Sequence, residues 1–376
     1  MKRILVLPRD PNPYQGLLYS ALGRLGVQAR YLGELTGSHT VNLLLLPAEL
    51  AWHRLAGARV VHLHWVTGFT LPGARRFPVL RRIGQAWFLL WLRACRALGL
   101  RLVWTAHNVL PHDQVFADDV AARRALVRAC DLVLAHSTPA LAGLAALGSA
   151  PRRSAVIPHG PLHPAGPAAA LRRPGSADGP RRFLFFGRVQ DYKGVTDLVA
   201  AFAMLPAGVP AELTVAGPCP DRRLQAELRA LATAARHQVT LRPDRVPDGQ
   251  VSALLAAADV VVLPFRQVTT SGSAILALCH GRPLIVPDLP GLADLPGPAV
   301  LRYDGGIPGL AGAMARLAAA GPQTLAAMSV AALSYAASLS WPDVAQRTMA
   351  EITATPGPGR AGPGRAGPGR QPVSTP

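Results

Sequence analysis

The chain has 376 residues, of which 50% are hydrophobic and 16% are charged. This composition is rich enough in apolar side chains to build a large core, so it excludes a protein that is disordered throughout. At roughly 150 residues per domain, the length predicts about two domains with possible tails. The formal net charge is +18, and a protein this basic can adsorb to anionic surfaces such as nucleic acid or acidic lipid.

The cysteines and the first residues indicate a cytoplasmic protein. Cys95, Cys130, Cys219 and Cys279 are isolated in the sequence, which excludes a zinc ribbon and a disulfide framework and fits a reducing compartment. The first apolar run ends at Pro8, which makes it too short for a signal peptide. No run of about 18 uncharged apolar residues occurs, so we expect no membrane span.

Short apolar runs alternate with longer helical stretches in the first half of the chain. Strands of a parallel sheet covered on both faces have this continuous apolar character. The predicted strands are Ile4–Leu7, Val41–Leu46, Arg59–Leu63, Leu102–Trp104, Leu132–Ala135 and Ala155–Ile157. Helices such as Gln15–Leu25 and Asp118–Arg128 are expected between them, which is the pattern of a doubly wound sheet.

Pro- and Gly-rich residues 161–180 interrupt this pattern and indicate a linker. The alternation then restarts, with predicted strands at Phe183–Phe186, Glu212–Val215, Val239–Leu241, Val260–Leu263 and Leu284–Val286. The helices predicted between these strands are Val195–Met204, Arg222–Ala235, Gly249–Ala257 and Gly272–Cys279, and further helices are expected near 307–350. We therefore predict an α/β protein with two Rossmann-like, doubly wound parallel-sheet domains.

The predicted organisation is domain one at 1–165, a linker at 166–180, domain two at 181–335, a helix at 336–354 and a tail at 355–376. The tail repeats Gly-Pro-Gly-Arg-Ala from Gly357. A Pro/Gly repeat without apolar side chains cannot form a core, so we expect the tail to be disordered.

Histidines collect where the strands of domain one end. Ligands of parallel α/β sheets bind outside the carboxyl ends of the strands, and six of the eleven histidines stand there: His62, His64, His107, His112, His136 and His159. Each alone is equally well explained as a structural residue, but together they predict a polar rim. His62 and His64 share one face of a strand and could chelate a metal with His107, His112 or Asp113.

In domain two, the segment from Gly187 and Arg188 to Lys193 and Gly194 follows a strand and opens a helix. Gly187 allows the backbone to turn close to a ligand, and the helix start offers free N–H groups. Arg188 and Lys193 provide a planar fork and a point charge, which suits a diphosphate. A solvated loop is the alternative.

A second candidate anion site is the Thr269-Thr270-Ser271-Gly272-Ser273 segment, which lies between a predicted strand and helix. Its hydroxyl groups and glycine suit phosphate oxygens. Ordinary helix capping by Ser or Thr is the alternative, and it is compatible with anion binding because N–H groups are presented at the same place.

These segments resemble glycosyltransferase family 4, which has the GT-B fold. The resemblance covers roughly residues 1–350 and includes Gly187–Gly194, Ala258–Pro264 and Gly281–Val286 in domain two. In domain one, His62–Trp65 and Trp104–Asp113 resemble a bacterial branch of the family.

The resemblance implies that a nucleotide diphosphate sugar binds domain two and an acceptor binds domain one. It assigns the diphosphate to Arg188 and Lys193, a donor-sugar contact to His107 and the shaping of the sugar site to Tyr14, Gln15 and Gly16. From their positions between strands and helices, Gly187, Thr270, Ser271, Gly272 and Ser273 are further donor-binding candidates, and the polar rim adds His64, Asn108 and His159 on the sugar and acceptor side. The last helices of the family cross back to domain one, which matches residues near 335–350.

The chain departs from the family where two glutamates are usual, because Val268 and Leu276 stand at those positions. We expect the Thr/Ser/Gly loop to take over donor binding.

The predicted activity is transfer of a hexose from a nucleotide diphosphate sugar to an acceptor such as a lipid-linked or cell-surface polysaccharide precursor. Arg188 and Lys193 would stabilise the leaving diphosphate, and His107 would position the sugar. Asp113 is the candidate base if the reaction inverts the anomeric centre. No Asp-x-Asp metal motif occurs, so we expect neither a metal nor any other cofactor. A metal-dependent hydrolase using His62 and His64 is the alternative.

Residues 75–93 mix arginines with aromatic and apolar residues. They are typical either of an interfacial helix on an anionic leaflet or of a domain helix with a basic end. Elsewhere in the two domains the arginines are scattered, which argues against a non-enzymatic nucleic-acid binder. The expected location is therefore cytoplasmic, with possible peripheral binding to the inner face of the membrane.

Overall fold

A computed structural model describes residues 2–10, 12–111, 113–161 and 179–354. The predicted tail, His112 and all but the last two residues of the predicted linker lie outside these ranges.

Domain one contains a six-stranded parallel sheet in the order β2-β1-β3-β4-β5-β6. Its strands are β1 (Lys2–Leu7), β2 (Val27–Tyr31), β3 (Val60–Leu63), β4 (Arg101–Ala106), β5 (Leu132–Ala135) and β6 (Ser154–Val156). The helices between them are α1 (Pro13–Arg24), α2 (His39–Leu55), α3 (Pro78–Ala97), α4 (Asp119–Ala129) and α5 (Thr138–Ala146). Hydrophobic cores fill both faces of the sheet, which explains why its central strands contain continuous apolar runs.

The strand prediction for Val41–Leu46 is wrong, because these residues form part of α2. Ser38 caps the helix by accepting a hydrogen bond from the Val41 N–H, and Leu43, Leu46 and Leu50 are buried at helical spacing. A continuous apolar run fits a buried strand as well as a helix with two apolar faces, so its periodicity could not separate the two. The neighbouring strand β2 has the mixed sequence Val-Gln-Ala-Arg-Tyr and escaped prediction for that reason.

Domain two contains a second parallel sheet in the order β12-β11-β10-β7-β8-β9. Its strands are β7 (Arg181–Phe186), β8 (Ala211–Ala216), β9 (Gln238–Arg242), β10 (Val260–Val262), β11 (Leu284–Pro287) and β12 (Val300–Tyr303). The helices are α6 (Val195–Ala203), α7 (Arg222–Ala234), α8 (Asp248–Ala257), α9 (Gly272–Cys279), α10 (Gly306–Ala318) and α11 (Pro322–Ala337). This strand order is that of the Rossmann fold, and the predicted fold class is confirmed.

Helices α10 and α11 close domain two. Met314 of α10 and Leu325 and Ala332 of α11 are fully buried in the core of this domain. In the described ranges, no single helix combines the length and hydropathy of a membrane span, whereas α10 and α11 taken together pass that test with a bend of 108° between them.

The last described helix, α12 (Trp341–Thr353), packs against α1 of domain one. Val344, Ala345 and Ile352 enter the same core as Ile4 and Leu18. The Trp341 indole N–H donates a hydrogen bond to the Pro161 carbonyl at 2.7 Å. The chain therefore returns to domain one after it has built domain two.

Candidate functional site

The two sheets each have a switch point where the strand order reverses, and loops at such points form ligand sites. In domain two the switch lies between β7 and β10. Gly187 follows β7 with a φ of 137°, and a Cβ placed on it would lie 3.0 Å from Ser273 Oγ and 3.1 Å from Lys193 Nζ. Three residues predicted to bind the donor therefore meet at this switch point.

A short 3-10 turn, Asp191–Lys193, holds Lys193 at this place. It ends at Gly194, whose φ is 64°, and a Cβ on Gly194 would come within 2.1 Å of the Pro264 carbonyl oxygen. Only glycine allows the turn to approach the end of β10 this closely. Burial, and next the positive charge of Arg188, lower the pKa of Lys193 to about 8. At neutral pH the ammonium group is therefore charged but poorly solvated, which favours an anionic partner.

The hydroxyl-rich loop lies at the start of α9. Ser271 caps the helix by accepting a hydrogen bond from the Ala274 N–H at 3.1 Å, as the capping interpretation expected. Thr270 Oγ1 is buried and has no hydrogen-bond partner among the described residues. A buried hydroxyl normally has a hydrogen-bond partner. Because Ser271 caps the helix, the Thr270 hydroxyl is not used for capping and can bond a ligand at the helix N-terminus.

The two positions where the family usually has glutamates carry apolar side chains that face the core. Leu276 is buried in α9 and Val268 packs against the same cluster. Neither can bond a ribose or a sugar hydroxyl, so the polar side chains of this loop are those of Thr269, Thr270, Ser271 and Ser273.

In domain one, four of the predicted histidines form one hydrogen-bonded chain with Tyr19 and Thr105. The chain begins at Thr105, whose Oγ1 lies 2.7 Å from His62 Nε2, and Tyr19 Oη lies 2.9 Å from both His62 Nδ1 and His64 Nε2. His64 Nδ1 lies 3.1 Å from His107 Nε2, and His107 Nδ1 lies 3.1 Å from His136 Nε2. At the other end, His136 Nδ1 lies 3.0 Å from the Ile157 carbonyl oxygen. We call these residues the histidine chain.

The end of the histidine chain sets the direction of every bond in it. A carbonyl oxygen only accepts, so His136 donates from Nδ1 to Ile157 and, as a neutral ring, accepts at Nε2. His107 must then donate from Nδ1 and accept at Nε2. The same logic continues through His64 to Tyr19, whose hydroxyl donates to His64 and accepts from His62. All four imidazoles thus carry their proton on Nδ1.

Burial favours the neutral rings that this arrangement requires. It lowers the pKa of His62 and of His136 to about 3. Burial is also the first cause that places the pKa values of His64 and His107 well below the ordinary value, and the neighbouring histidines lower them further. His159 lies outside the histidine chain and donates from Nδ1 to the Gly160 carbonyl at 2.6 Å. Burial lowers its pKa to about 4.

Aromatic rings enclose His107. Its imidazole stacks on Trp65 with the ring centroids 4.2 Å apart, and the Tyr14 ring meets it edge-on at 4.8 Å. Tyr14 also contacts the rings of His159 and Trp341. Since both nitrogens of His107 are bonded within the histidine chain, the ring is held rigidly beside the cleft and has no free nitrogen in this state.

The loop after β1 is shaped by Gln15. The buried Gln15 amide donates to the Pro8 carbonyl at 2.7 Å and accepts from the Asp10 N–H at 3.0 Å. The neighbouring Gly16 is exposed, with open space where a Cβ would lie. The structure thus gives Gln15 a structural role and leaves Gly16 accessible.

A cavity of about 210 Å³ lies beside His107 and is completed by Gln190 of domain two. Its lining includes His64, Trp65, Asn108, Asp113 and Arg123. A larger opening of about 850 Å³ continues from Asp113 past Arg188 and Tyr192. Of the predicted acceptor-side residues, His64 and Asn108 line the cavity, which meets this opening at Asp113 and Gln190. Tyr14, Gln15 and His159 are instead buried. Asp113 stands at the rim, where its exposed carboxylate pairs with Arg75 at 3.0 Å.

His62 and His64 do share one face, with ring centroids 4.2 Å apart, but their nitrogens are bonded to Tyr19, Thr105 and His107. In the described part of the chain, no three His, Cys, Asp or Glu residues are grouped so that they could hold a metal ion.

Sequence reasoning missed Tyr19, Thr105 and Arg123, which occur in α1, β4 and α4 without any motif. Their only signal is a polar group at a position that the helical or strand pattern places in the core.

Comparisons with known proteins agree with this arrangement. The profile of the family Glycosyl transferases group 1 matches residues 180–320. GDP-mannose:glycolipid 4-beta-D-mannosyltransferase of Xanthomonas campestris pv. campestris is 28% identical over 318 residues, which cover 79% of this chain and 76% of the relative. A second protein of the same name, from strain ATCC 33913 of this pathovar, is 27% identical over 296 residues, which cover 74% of this chain and 70% of the relative.

Solved structures share the fold across both domains. Sucrose-phosphate synthase from Thermosynechococcus elongatus superposes with a TM-score of 0.71 at 18% identity, covering 93% of this chain and 98% of that chain. HepE of Anabaena, solved with UDP-glucose, has a TM-score of 0.68 at 15% identity, covering 94% and 99%. The two parallel sheets and the cleft between them define the GT-B class, and this chain is a glycosyltransferase of that class. Residues 180–320 form its Glycosyl transferases group 1 domain. The comparisons do not support the hydrolase alternative.

Proposed function

We propose that the protein transfers a mannosyl residue from GDP-mannose to a glycolipid acceptor without a bound metal ion. The observation that carries the proposal is the meeting of Gly187, Lys193 and Ser273 at the switch point of domain two. The two relatives named GDP-mannose:glycolipid mannosyltransferases support this donor and this class of acceptor.

The residues of this site account for the charge that develops during transfer. The bond between the anomeric carbon and the diphosphate oxygen breaks, and the diphosphate gains negative charge. Lys193, Arg188 and the N–H groups at the start of α9 lie on the donor side to stabilise it. The acceptor hydroxyl forms the new bond and loses its proton, for which Asp113 at the rim of the cleft is the candidate base. The rigidly held imidazole of His107 contacts the sugar and positions it.

A thermal-shift and turnover experiment tests the proposed function. GDP-mannose and GDP should raise the melting temperature more than UDP-glucose or ADP-glucose, because a ligand that binds only the folded state stabilises it by about 2.7 kcal/mol at 100 times its Kd. Transfer to a glycolipid extract should continue in the presence of EDTA. If no nucleotide raised the melting temperature, the proposal would be wrong; if EDTA abolished transfer, its metal-independent part would be.

We further propose that domain one binds the surface of an anionic membrane, which would bring the protein to its acceptor on the cytoplasmic face. The support is a surface formed by the outward faces of α2 and α3, which we call the α2–α3 face. Apart from His39 at its first position, the exposed residues of α2 are all apolar: Val41, Leu44, Leu45, Ala48, Trp52 and Leu55. Trp52 is 71% exposed and Leu55 is 87% exposed.

Helix α3 continues this surface and adds positive charge. Its exposed residues include Val79, Arg82, Ile83, Ala86, Leu90 and Arg93. The Trp87 indole links α3 to α2 by donating a hydrogen bond to the Leu43 carbonyl at 2.9 Å. Apolar side chains next to arginines are typical of interfacial helices that bind acidic lipid. The inner residues Phe88 and Trp91 are buried, so one helix serves both as a domain helix and as an interfacial surface.

Flotation with liposomes measures this interaction. At low salt the protein should float with vesicles that contain acidic lipid and should float less with neutral vesicles. The double variant Trp52→Glu/Ile83→Glu should reduce the floated fraction at least about fivefold, since each change places a carboxylate in the interface. Val330→Glu is the matched control, because Val330 is 67% exposed on α11 of domain two. Equal flotation of the double variant and wild type would contradict the assignment of this surface.

A further inference from the structure

A groove of about 480 Å³ lies between α3 and α4 of domain one. Its polar lining consists of four arginines, Arg93, Arg96, Arg128 and Arg152, and the rest of its lining is apolar and includes Leu89 and Leu92. All four arginines are exposed, whereas Leu92 is 6% exposed. This surface, which we call the arginine groove, therefore combines a cluster of cations with an apolar floor.

The arginine groove lies at the opposite edge of the sheet from the candidate functional site. It adjoins a cavity of about 250 Å³ that is lined by Arg101 and Leu102 at the start of β4 and by Asp131 just before β5. The candidate site residues of domain one follow the carboxyl ends of the strands, whereas these residues lie at the amino ends. The arginine groove is therefore separate from the cleft.

The four arginines have no ion-pair partner in the described ranges. None of their guanidinium groups forms an ion pair or a hydrogen bond with a described residue. The adjoining cavity contains one carboxylate, that of Asp131, which accepts a hydrogen bond from the Leu102 N–H at 2.8 Å. Like charges within a Debye length repel one another, so a bound anion would stabilise this cluster.

Helix ends account for only two of these charges. Arg96 and Arg128 lie in the last turns of α3 and α4, where the helix dipole favours a cation. Arg93 lies before the last turn of α3, and Arg152 lies in the segment between α5 and β6. Because the dipole acts only within the last turn, it does not explain why Arg93 and Arg152 line the same groove.

The neighbouring surface indicates which kind of anion fits. Arg93 belongs both to the arginine groove and to the α2–α3 face, where the exposed Leu90 lies one turn before it. Guanidinium groups bind phosphate through paired hydrogen bonds, and Leu89 and Leu92 offer apolar contact. A phospholipid with a net negative headgroup supplies both a phosphate and an apolar part, whereas a soluble phosphate supplies only the first.

We propose that the arginine groove binds the phosphate of a single anionic phospholipid, with the lipid's apolar part against Leu89 and Leu92. The inference rests on the proposed contact of domain one with an anionic membrane, and it adds a discrete site and a class of lipid. The bound lipid is neither the donor nor the acceptor, because the groove lies away from the cleft. Its occupancy fixes which edge of domain one meets the membrane.

NMR titration of the full-length protein measures binding of three probes, with both lipids kept below their critical micelle concentrations. The probes are dihexanoyl phosphatidylglycerol, dihexanoyl phosphatidylcholine and glycerophosphoglycerol. We expect phosphatidylglycerol to bind about tenfold more tightly than phosphatidylcholine, whose choline cancels the phosphate charge. It should also bind about tenfold more tightly than glycerophosphoglycerol, which has the same phosphate but no acyl chains.

Two double variants locate the site. Arg128→Gln/Arg152→Gln removes two cations that lie in the groove but not on the α2–α3 face, and it should lower the affinity for phosphatidylglycerol about tenfold. Arg24→Gln/Arg30→Gln is the matched control. It removes two exposed cations of domain one that do not line the groove, so the affinity should stay that of wild type.

A third variant separates the groove from the α2–α3 face. Trp52→Gln/Ile83→Gln changes that face without changing the charge and should keep the wild-type affinity. Its loss of binding would place the lipid on the α2–α3 face and overturn the inference. Thermal unfolding checks that the variants fold, as expected for changes at exposed positions.

The inference is also overturned if phosphatidylglycerol has no advantage over either of the other probes. The same holds if Arg128→Gln/Arg152→Gln binds phosphatidylglycerol as tightly as wild type, or if the control variant loses as much affinity. Failure of the proposed function is recognised separately, since flotation with liposomes reports membrane binding and GDP-mannose turnover reports activity.

Discussion

Replacing Lys193 with methionine is expected to lower kcat by about 100-fold or more, which corresponds to a loss of about 2.7 kcal/mol of transition-state stabilisation. Lys193 Nζ lies beside Gly187 and Ser273 at the switch point of domain two, where the leaving diphosphate gains charge. Its surroundings are largely desolvated, so the electrostatic interaction is stronger than it would be in water. Turnover of GDP-mannose measures the effect.

The dependence of kcat/KM on pH shows whether the positive charge of Lys193, rather than the size of its side chain, is needed for turnover. The pKa of Lys193 is lowered to about 8, and the group is active in its protonated form. In wild type, kcat/KM, which reports the free enzyme, should therefore fall as the pH rises above 8. Lys193→Arg keeps its charge at pH 9, so its kcat/KM should fall less over the same interval.

Arg245→Gln is a suitable control, because Arg245 lies on the surface of domain two and pairs with Asp248 at 3.3 Å. Its kcat should equal that of wild type. A Lys193→Met variant that folds and turns over at the rate of wild type would remove Lys193 from the mechanism.

The second large effect is acid destabilisation by the histidines of domain one. We expect the free energy of unfolding to fall by at least about 2 kcal/mol between pH 6.5 and pH 5. The pKa values of His62 and His136 are lowered to about 3 and that of His159 to about 4, while an unfolded histidine has a pKa near 6.5. Between these values the unfolded chain binds more protons than the folded chain, so stability is present above pH 6.5 and is lost as the pH falls.

The interval above pH 5 isolates the histidines, since ordinary carboxylates protonate below it. Denaturant unfolding at several pH values gives the slope, which is at most about 1.4 kcal/mol per pH unit for each buried histidine. His159→Asn should reduce the slope by up to that amount, whereas His39→Gln, at an exposed position, should leave it unchanged. A free energy of unfolding that stayed constant from pH 7 to pH 5 would show that the histidines are not held neutral in the folded state.

Local sequence patterns were sufficient for most of the fold, and the failures have identifiable causes. Ten of the twelve strands in the described ranges, all but β2 and β12, contain a short apolar run that the sequence analysis predicts as a strand, because burial on both faces demands such runs. The segment 41–46 was wrongly predicted as a strand, because some of its apolar residues pack in the core and the others lie on the exposed face of α2. The sequence alone does not show which of these apolar residues are buried, since that depends on how α2 packs in the fold.

The donor side of the site was predictable for a similar reason. Gly187, Lys193 and the 269–273 loop each follow a strand and precede a helix, so the rule for parallel sheets places them at one edge. The histidines after the strands of domain one were predicted in the same way. Their proximity follows from strand order, but the bonds among them do not.

The sequence alone therefore determined the fold class and the edge of each sheet at which the candidate site residues lie, because both follow from local patterns of burial and turns. The tertiary structure decided which of these side chains contact one another. It placed the Tyr19 hydroxyl between two histidines, it ended the histidine chain on a carbonyl oxygen that sets the direction of its bonds, and it packed the guanidinium of Arg123 against Trp104. Hydrogen-bond partners and unpaired charges depend on which distant side chains meet, and no local pattern specifies that.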